Sequence, residues 1–215
     1  MTVAQPHVRV DDRTSLSEQA YGYILDEILR GRLPAGSLLP EGAIADELGI
    51  SKTPVRQALQ TLRREGLLEV GPRRQLIVRS FDAGHRREIA EVREALETIS
   101  ARRACESMTV EQIDQLRLLL MRQKRAADAG DEETFGKLDE EFHLLIASSA
   151  DLRLVERFLT QLRNFVRVMR LGTTRPPGYL HEVHREHTAI VDALEARKPS
   201  VAVNALCDHL RHTDY

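Results

Sequence analysis

Asp139 and His143 stand four residues apart in a helical pattern whose apolar stripe is Phe135, Leu138, Phe142 and Ile146. That spacing puts the carboxylate and the imidazole one turn above each other at the edge of the stripe. Further along, His187 falls inside a stripe of Val183, Ile190, Val191 and Leu194, and His209 shares a face with Ala202, Leu206 and Thr213. One carboxylate and three imidazoles buried without partners would be costly. A single divalent transition metal satisfies all four, and this donor set suits zinc or nickel, and also manganese, cobalt or iron. The residues alone leave other readings open. A lone His on an apolar face is usually a satisfied core histidine, and an Asp–His pair at this spacing is often only a surface hydrogen bond. His181 and His184 also compete with His187, and His212 with His209.

A second chemistry is electrostatic. The chain has 215 residues, with 31 Lys and Arg against 33 Asp and Glu, which excludes a histone-like polycation and an acidic tail. Within 51–79, however, Lys52, Arg56, Arg63, Arg64, Arg73, Arg74 and Arg79 face only Glu65 and Glu69. Such a patch is either a face for phosphates or a solvated helix face. A hydrophobic content of 42% supports a packed core and excludes global disorder. Apolar runs such as Leu118 to Met121 are far too short to span a bilayer. Asp11, Asp12 and Arg13 interrupt any leader-like stretch, so no signal peptide is expected. Cys105 and Cys207 form no CxxC, so a reduced, cytoplasmic setting is expected. Aromatics are 4% and Trp is absent, which favours helices over a β-sandwich.

The elements that carry the basic patch follow from local signals. Residues 1–14 lack periodicity and read as a flexible arm. Ser15 and Glu18 fit a capping box, so a helix should run from Leu16 to Arg30 and stop at Gly31. The Leu33–Ser37 stretch reads as a turn around Pro34 and Gly36. A short helix over Glu41–Leu48 buries Ile44, Ala45 and Leu48 and ends at Gly49. Ser51 offers an N-cap oxygen to the next helix, and Pro54 is tolerated in its first turn. Val55, Ala58, Leu59 and Leu62 form the buried stripe, which leaves Thr53, Arg56 and Arg63 facing outward. Gly66 ends this helix. Strands over Leu67–Val70 and Gln75–Arg79 flank a turn of Gly71, Pro72, Arg73 and Arg74. Helix, helix, turn, helix and hairpin make a winged helix-turn-helix over 15–80. Its third helix would enter a major groove, and its wing would bring Arg73 and Arg74 to a minor groove or phosphate.

From residue 85 the pattern is helical throughout. Six helices are expected, at 85–106, 110–128, 132–148, 151–171, 178–196 and 199–213, with the four metal candidates on the third, fifth and sixth. The fold class is therefore mainly α: a winged helix-turn-helix with a small β-hairpin wing, then an all-α six-helix bundle over 85–215.

Three stretches carry a resemblance: Gly31 to Gly36, Leu48 to Leu59 (LGISKTPVRQAL), and Leu62 to Leu67 (LRREGL). Together they resemble the GntR family of bacterial transcription regulators. That resemblance implies that Lys52, Thr53, Arg56 and Arg63 belong to the DNA-facing set, with Gly71 and its neighbours in the wing. Gly42 stands where many members carry an arginine that touches DNA. Asp139 to His143, Glu186 to Ile190, and Asp208 to Leu210 resemble the FCD ligand-binding domain that follows such heads. It implies one metal on Asp139, His143, His187 and His209. Six helices resemble the shorter, VanR-like branch. Arg93, within Val92 to Glu97, matches an arginine that often reaches the effector pocket, where a planar guanidinium suits bidentate carboxylate binding. The other reading of Arg93 is an i, i+4 salt bridge to Glu97.

The expected function is a metabolite-responsive regulator, a repressor before an activator. It would bind double-stranded operator DNA as a homodimer and be switched by a small organic acid at the metal. One reading head alone buries too little DNA for high specificity. An enzyme is not expected, since there is no G-x-S-x-G, no H-E-x-x-H and no phosphate-cradling glycine loop. The alternatives are a metal-dependent hydrolase or lyase with a DNA-binding appendage, and a regulator for which the metal itself is the signal.

Overall fold

The computed structural model describes residues 14–169 and 175–214. The expected arm over 1–14 lies outside the described residues except for Thr14, as do the last two residues of the expected 151–171 helix. The chain divides into two compact units at Phe81/Asp82.

In the first unit, α1 (Leu16–Leu29) begins at the Ser15/Glu18 capping box and buries Ala20, Ile24 and Ile28. α2 (Glu41–Leu48) ends at Gly49 in the left-handed region, φ 66°. α3 (Lys52–Arg64) buries Pro54, Val55, Ala58, Leu59 and Leu62. Ser51 is its N-cap residue, but its side chain makes no capping bond, contrary to expectation. The cause is local. Four other caps among the described residues accept from the amide three residues on, and here that residue is Pro54, which has no N–H.

β1 (Leu68–Val70) and β2 (Leu76–Val78) pair antiparallel, with Leu68 opposite Val78. Both are shorter than their sequence signals. The Leu67 amide closes the end of α3 on the Leu62 carbonyl, and the Gln75 carbonyl closes the turn from the Gly71 amide. The segment after the Pro34–Gly36 turn does more than turn. Leu38 bridges Ile77, and the Gly36 and Leu39 amides donate to the Val78 and Leu76 carbonyls at 2.8 and 3.1 Å. The wing is thus braced along the second edge of β2.

The second unit has six helices among the described residues: α4 (Ala83–Ser107), α5 (Val110–Ala129), α6 (Glu132–Ser149), α7 (Arg153–Met169), α8 (Tyr179–Glu195) and α9 (Pro199–Asp214). α4 starts two residues earlier than its periodicity indicates, because Asp82 caps it through the His85 amide. α7 starts two residues later, since Asp151 adopts φ 51°, outside the helical region. Phe142, Leu116, Leu138, Ile190, Leu194 and Leu206 lie at the centre of one continuous core. α9 packs on α4 and α8, α5 on α6 and α8, and α6 on α4, so α4, α5, α6, α8 and α9 share this interior. Among the described residues, no helix is long and apolar enough to cross a membrane.

Candidate metal centre and nucleic-acid interface

Asp139 and His143 on α6, His187 on α8 and His209 on α9 point into that interior. His187 and His209 are fully buried, and Asp139 and His143 nearly so. One ligand atom from each lies within 4.8 Å of all the others. The His209 Nε2 stands 3.2 Å from the Nε2 of both His187 and His143. The Asp139 Oδ1 is 3.5 Å from the His187 Nε2 and 3.8 Å from the His143 Nε2. Two nitrogens bound to one ion at about 2.1 Å lie about 3.0 Å apart at a right angle and about 3.4 Å apart at the tetrahedral angle. The imidazole spacing falls between those values.

The opposite edge of each ring decides its tautomer. His143 Nδ1 lies 2.6 Å from Glu97 Oε2, and His209 Nδ1 lies 2.8 Å from Glu186 Oε2. His187 Nδ1 lies 2.9 Å from Gln123 Oε1, and the Gln123 amide is oriented by its own donation to the Leu138 carbonyl at 3.1 Å. All three partners are acceptors, so each ring donates from Nδ1 and turns an Nε2 lone pair inward. Three lone pairs and a carboxylate oxygen then meet with no proton among them. A cation suits that arrangement, and such imidazole–acceptor pairs are the usual orienting partners of metal ligands. Phe142 stacks on the His187 ring at 4.1 Å and meets the His143 ring edge-on at 5.4 Å, which restricts both rotamers.

Burial pushes the His187 imidazole well below its ordinary value and lowers His209 as well, so both are held in the neutral, ligating form. Burial also opposes ionisation of Glu97, but the Arg93 charge and the hydrogen bonds from Arg93 and His143 outweigh it and hold the carboxyl at about 2. Glu186 is likewise lowered against burial, by its bonds to His209 and His212.

The competing histidines lie elsewhere. His181 is exposed and pairs with Asp128 at 3.1 Å. His184 is half-buried, and His212 reaches Glu186 Oε1 from the outside at 2.6 Å. Arg93 is buried, and its Nε donates to Glu97 Oε1 at 2.7 Å, so the salt bridge weighed from the sequence exists. It also serves the centre, because the other Glu97 oxygen holds His143. Reading the stripes alone missed Glu97, Gln123 and Glu186 as orienting groups. Gln123 left a usable signal, as a polar residue on the buried stripe of Leu116, Leu119, Leu120 and Ala127.

On the first unit, Lys52, Thr53, Arg56 and Arg63 are all exposed on α3, opposite its buried stripe. Arg73 and Arg74 are exposed in the wing turn, with Arg74 at φ 60°. Gly71 is buried at the base of that turn, where an added Cβ would meet the Gln75 side-chain amide at 2.8 Å. Lys52 leans over Gly42, its Nζ 3.7 Å from where a Cβ would stand. Arg56 is paired with Glu41, a contact between residues fifteen apart that local reading does not reveal.

Comparison with known proteins accords with both units. Residues 16–78 match the family described as "Bacterial regulatory proteins, gntR family", and residues 88–212 match the FCD domain. The chain is 33% identical over 204 residues to a protein of Paenarthrobacter nicotinovorans named "Probable D-xylose utilization operon transcriptional repressor", covering 92% of this chain and 87% of that one. It is 29% identical to the HTH-type transcriptional repressor RspR of Escherichia coli K12, over 91% and 86% of the two chains. The solved structure of E. coli McbR/YncC superposes with a TM-score of 0.81 at 25% identity, covering 93% of this chain and 95% of that one. The chain belongs to the gntR family of bacterial regulatory proteins and is a transcriptional regulator with a winged helix-turn-helix head and a helical FCD domain.

Proposed function

We propose that this regulator binds operator DNA as a homodimer and holds one divalent transition metal, zinc or nickel first among the candidates, on Asp139, His143, His187 and His209. A small carboxylate binding at that metal switches it, and relatives named as repressors favour repression. The observation that carries this reading is the convergence of three inward-facing Nε2 atoms and Asp139, each imidazole held by an acceptor at its Nδ1. The six helices of the second unit among the described residues support the VanR-like branch. In this reading, residues 15–80 read DNA and 85–215 sense the effector.

The metal with one carboxylate and three neutral imidazoles keeps net positive charge, so its remaining positions favour an anionic oxygen ligand. Arg93 would pair with the far end of the same acid. The test is a thermal-shift screen of small carboxylic acids on metal-loaded protein, followed by operator binding with each hit. Acids should shift the melting point and change operator affinity, and the corresponding amides should do neither. Replacing Arg93 by Ala should weaken acid binding while leaving operator affinity without acid nearly intact. Acids and amides acting alike, or an unmoved dose–response in the Arg93 variant, would remove the effector reading.

At the DNA face, Lys52, Thr53, Arg56 and Arg63 meet the major groove and backbone, and Gly71, Arg73 and Arg74 form the wing contact. Specific sites for a two-fold dimer are spaced about 34–36 Å or a multiple of it. Arg56→Ala should cost roughly 1–3 kcal/mol of operator affinity if the guanidinium reads a base edge. A phosphate-only contact predicts uniform weakening across sequences and a shallower salt dependence. Unchanged affinity for every duplex contradicts both. The dimer is checked by light scattering, where a 24.4 kDa particle with full operator affinity would count against it.

A further inference from the structure

Glu41 is the first residue of α2, and its carboxylate lies on the face that carries Lys52 and Arg56. Arg56 Nε stands 3.0 Å from both Glu41 oxygens, and Nη2 stands 2.7 Å from Oε2. One edge of the guanidinium fork is therefore occupied. The Nη1 side carries no bond among the described residues, and the Arg56 side chain is 61% exposed. A carboxylate beside a duplex is repelled by phosphates, so it lowers affinity for DNA of any sequence. What it offers in return is orientation: an arginine gripped on its Nε edge presents its other edge in one direction instead of sweeping many. Bidentate reading of a guanine needs that kind of alignment.

We infer that Glu41 is a specificity-determining residue of the head, acting as a positioning residue that braces Arg56 so that its free edge reads a base, and that suppresses non-specific binding by its charge. This rests on the reading of α3 as the groove-facing helix. The two roles make opposite changes when the charge is removed. Glu41→Gln should lower affinity for a specific duplex yet raise affinity for a scrambled one. The ratio of the two should fall by about tenfold, the discrimination carried by one good bidentate contact. The salt dependence of scrambled-duplex binding should steepen, because one more cationic group is released to phosphates.

The experiment uses the full-length protein and a duplex enriched by the wild type from a randomised pool, with its scrambled sequence as the second probe. Affinities are measured for wild type, Glu41→Gln, Arg56→Ala and the double variant across several salt concentrations, with melting points alongside. The inference expects a lower ratio in Glu41→Gln at an unchanged melting point. It also expects no further loss of ratio when Glu41→Gln is added to Arg56→Ala. An unchanged ratio in Glu41→Gln overturns it. So does a parallel loss for both duplexes with a lower melting point, which is what a merely structural role at the start of α2 would produce. Failure of the wild type to enrich any duplex would instead remove the groove reading, and the inference with it.

Discussion

Replacing His187 by Ala is expected to abolish stoichiometric metal binding and to lower thermal stability by on the order of 10 °C in metal-containing buffer. The ring is fully buried, stacks on Phe142 and offers its Nε2 to the cluster. A site holding metal at a thousand times its Kd adds about 4 kcal/mol to folding, and that term disappears with the ligand. For a chain of this size, 1 kcal/mol corresponds to about 2–4 °C. Chelator should therefore bring the wild type most of the way to the variant, leaving only the smaller cost of the lost packing. His181→Ala removes an exposed ring outside the cluster and should change neither quantity. Acid should act in the same direction. Burial holds the folded His187 and His209 below the ordinary imidazole value, so the unfolded chain takes up protons first. Stability from this pair is complete above about pH 6.5 and declines as the pH falls below it. A wild-type melting curve indifferent to both chelator and added metal would sink this account of His187.

Glu97→Leu is expected to destabilise the second unit by roughly 3–5 kcal/mol, the usual effect of removing one partner from a buried ion pair. Glu97 is buried, accepts from Arg93 Nε at 2.7 Å and holds His143 Nδ1 at 2.6 Å. Without it the buried Arg93 loses its bond to Glu97, and His143 loses the group that sets its tautomer. Urea unfolding of metal-free protein isolates this effect from the metal, since the Glu97 loss persists there whereas most of the His187 loss does not. Adding Arg93→Met should recover part of the loss, because two apolar groups of similar volume then replace the whole buried ion pair. The carboxyl held at about 2 also fixes the sign of the pH dependence. Its contribution is present above about pH 4.5 and is lost as the pH falls towards 2, and the variant should lack that component. An unchanged urea midpoint at neutral pH would contradict the proposed role of Glu97.

Both units were legible where the determinants are local. Ser15 with Glu18 and Gly49 mark helix ends within a few residues of the atoms they bond. The stripe of Val55, Ala58, Leu59 and Leu62 orients α3, and those of α6, α8 and α9 turn Asp139, His143, His187 and His209 inward. The helical period left His181 and His184 competing with His187; the resemblance to the FCD domain chose His187, and the fold leaves His181 exposed and His184 half-buried outside the cluster. Contacts between distant residues were not legible. Glu97 meets His143 across forty-six positions and Gln123 meets His187 across sixty-four, and neither spacing has a local signature. The bridge from Leu38 to Ile77 and the grip of Glu41 on Arg56 are of the same kind. The Ser51 cap failed for a reason that was present in the sequence, the missing amide of Pro54.

The central claim is that four side chains from three helices form one metal site inside the FCD domain. Equilibrium dialysis of metal-stripped protein against zinc, nickel, cobalt and manganese, with elemental analysis of the retained ion, tests it most directly. Wild-type protein should saturate with at least one of these ions at one per chain, while the His187→Ala/His209→Ala double variant, folded by circular dichroism, should retain none. Wild-type protein that leaves dialysis without metal, or a double variant that retains as much as the wild type, would contradict the account.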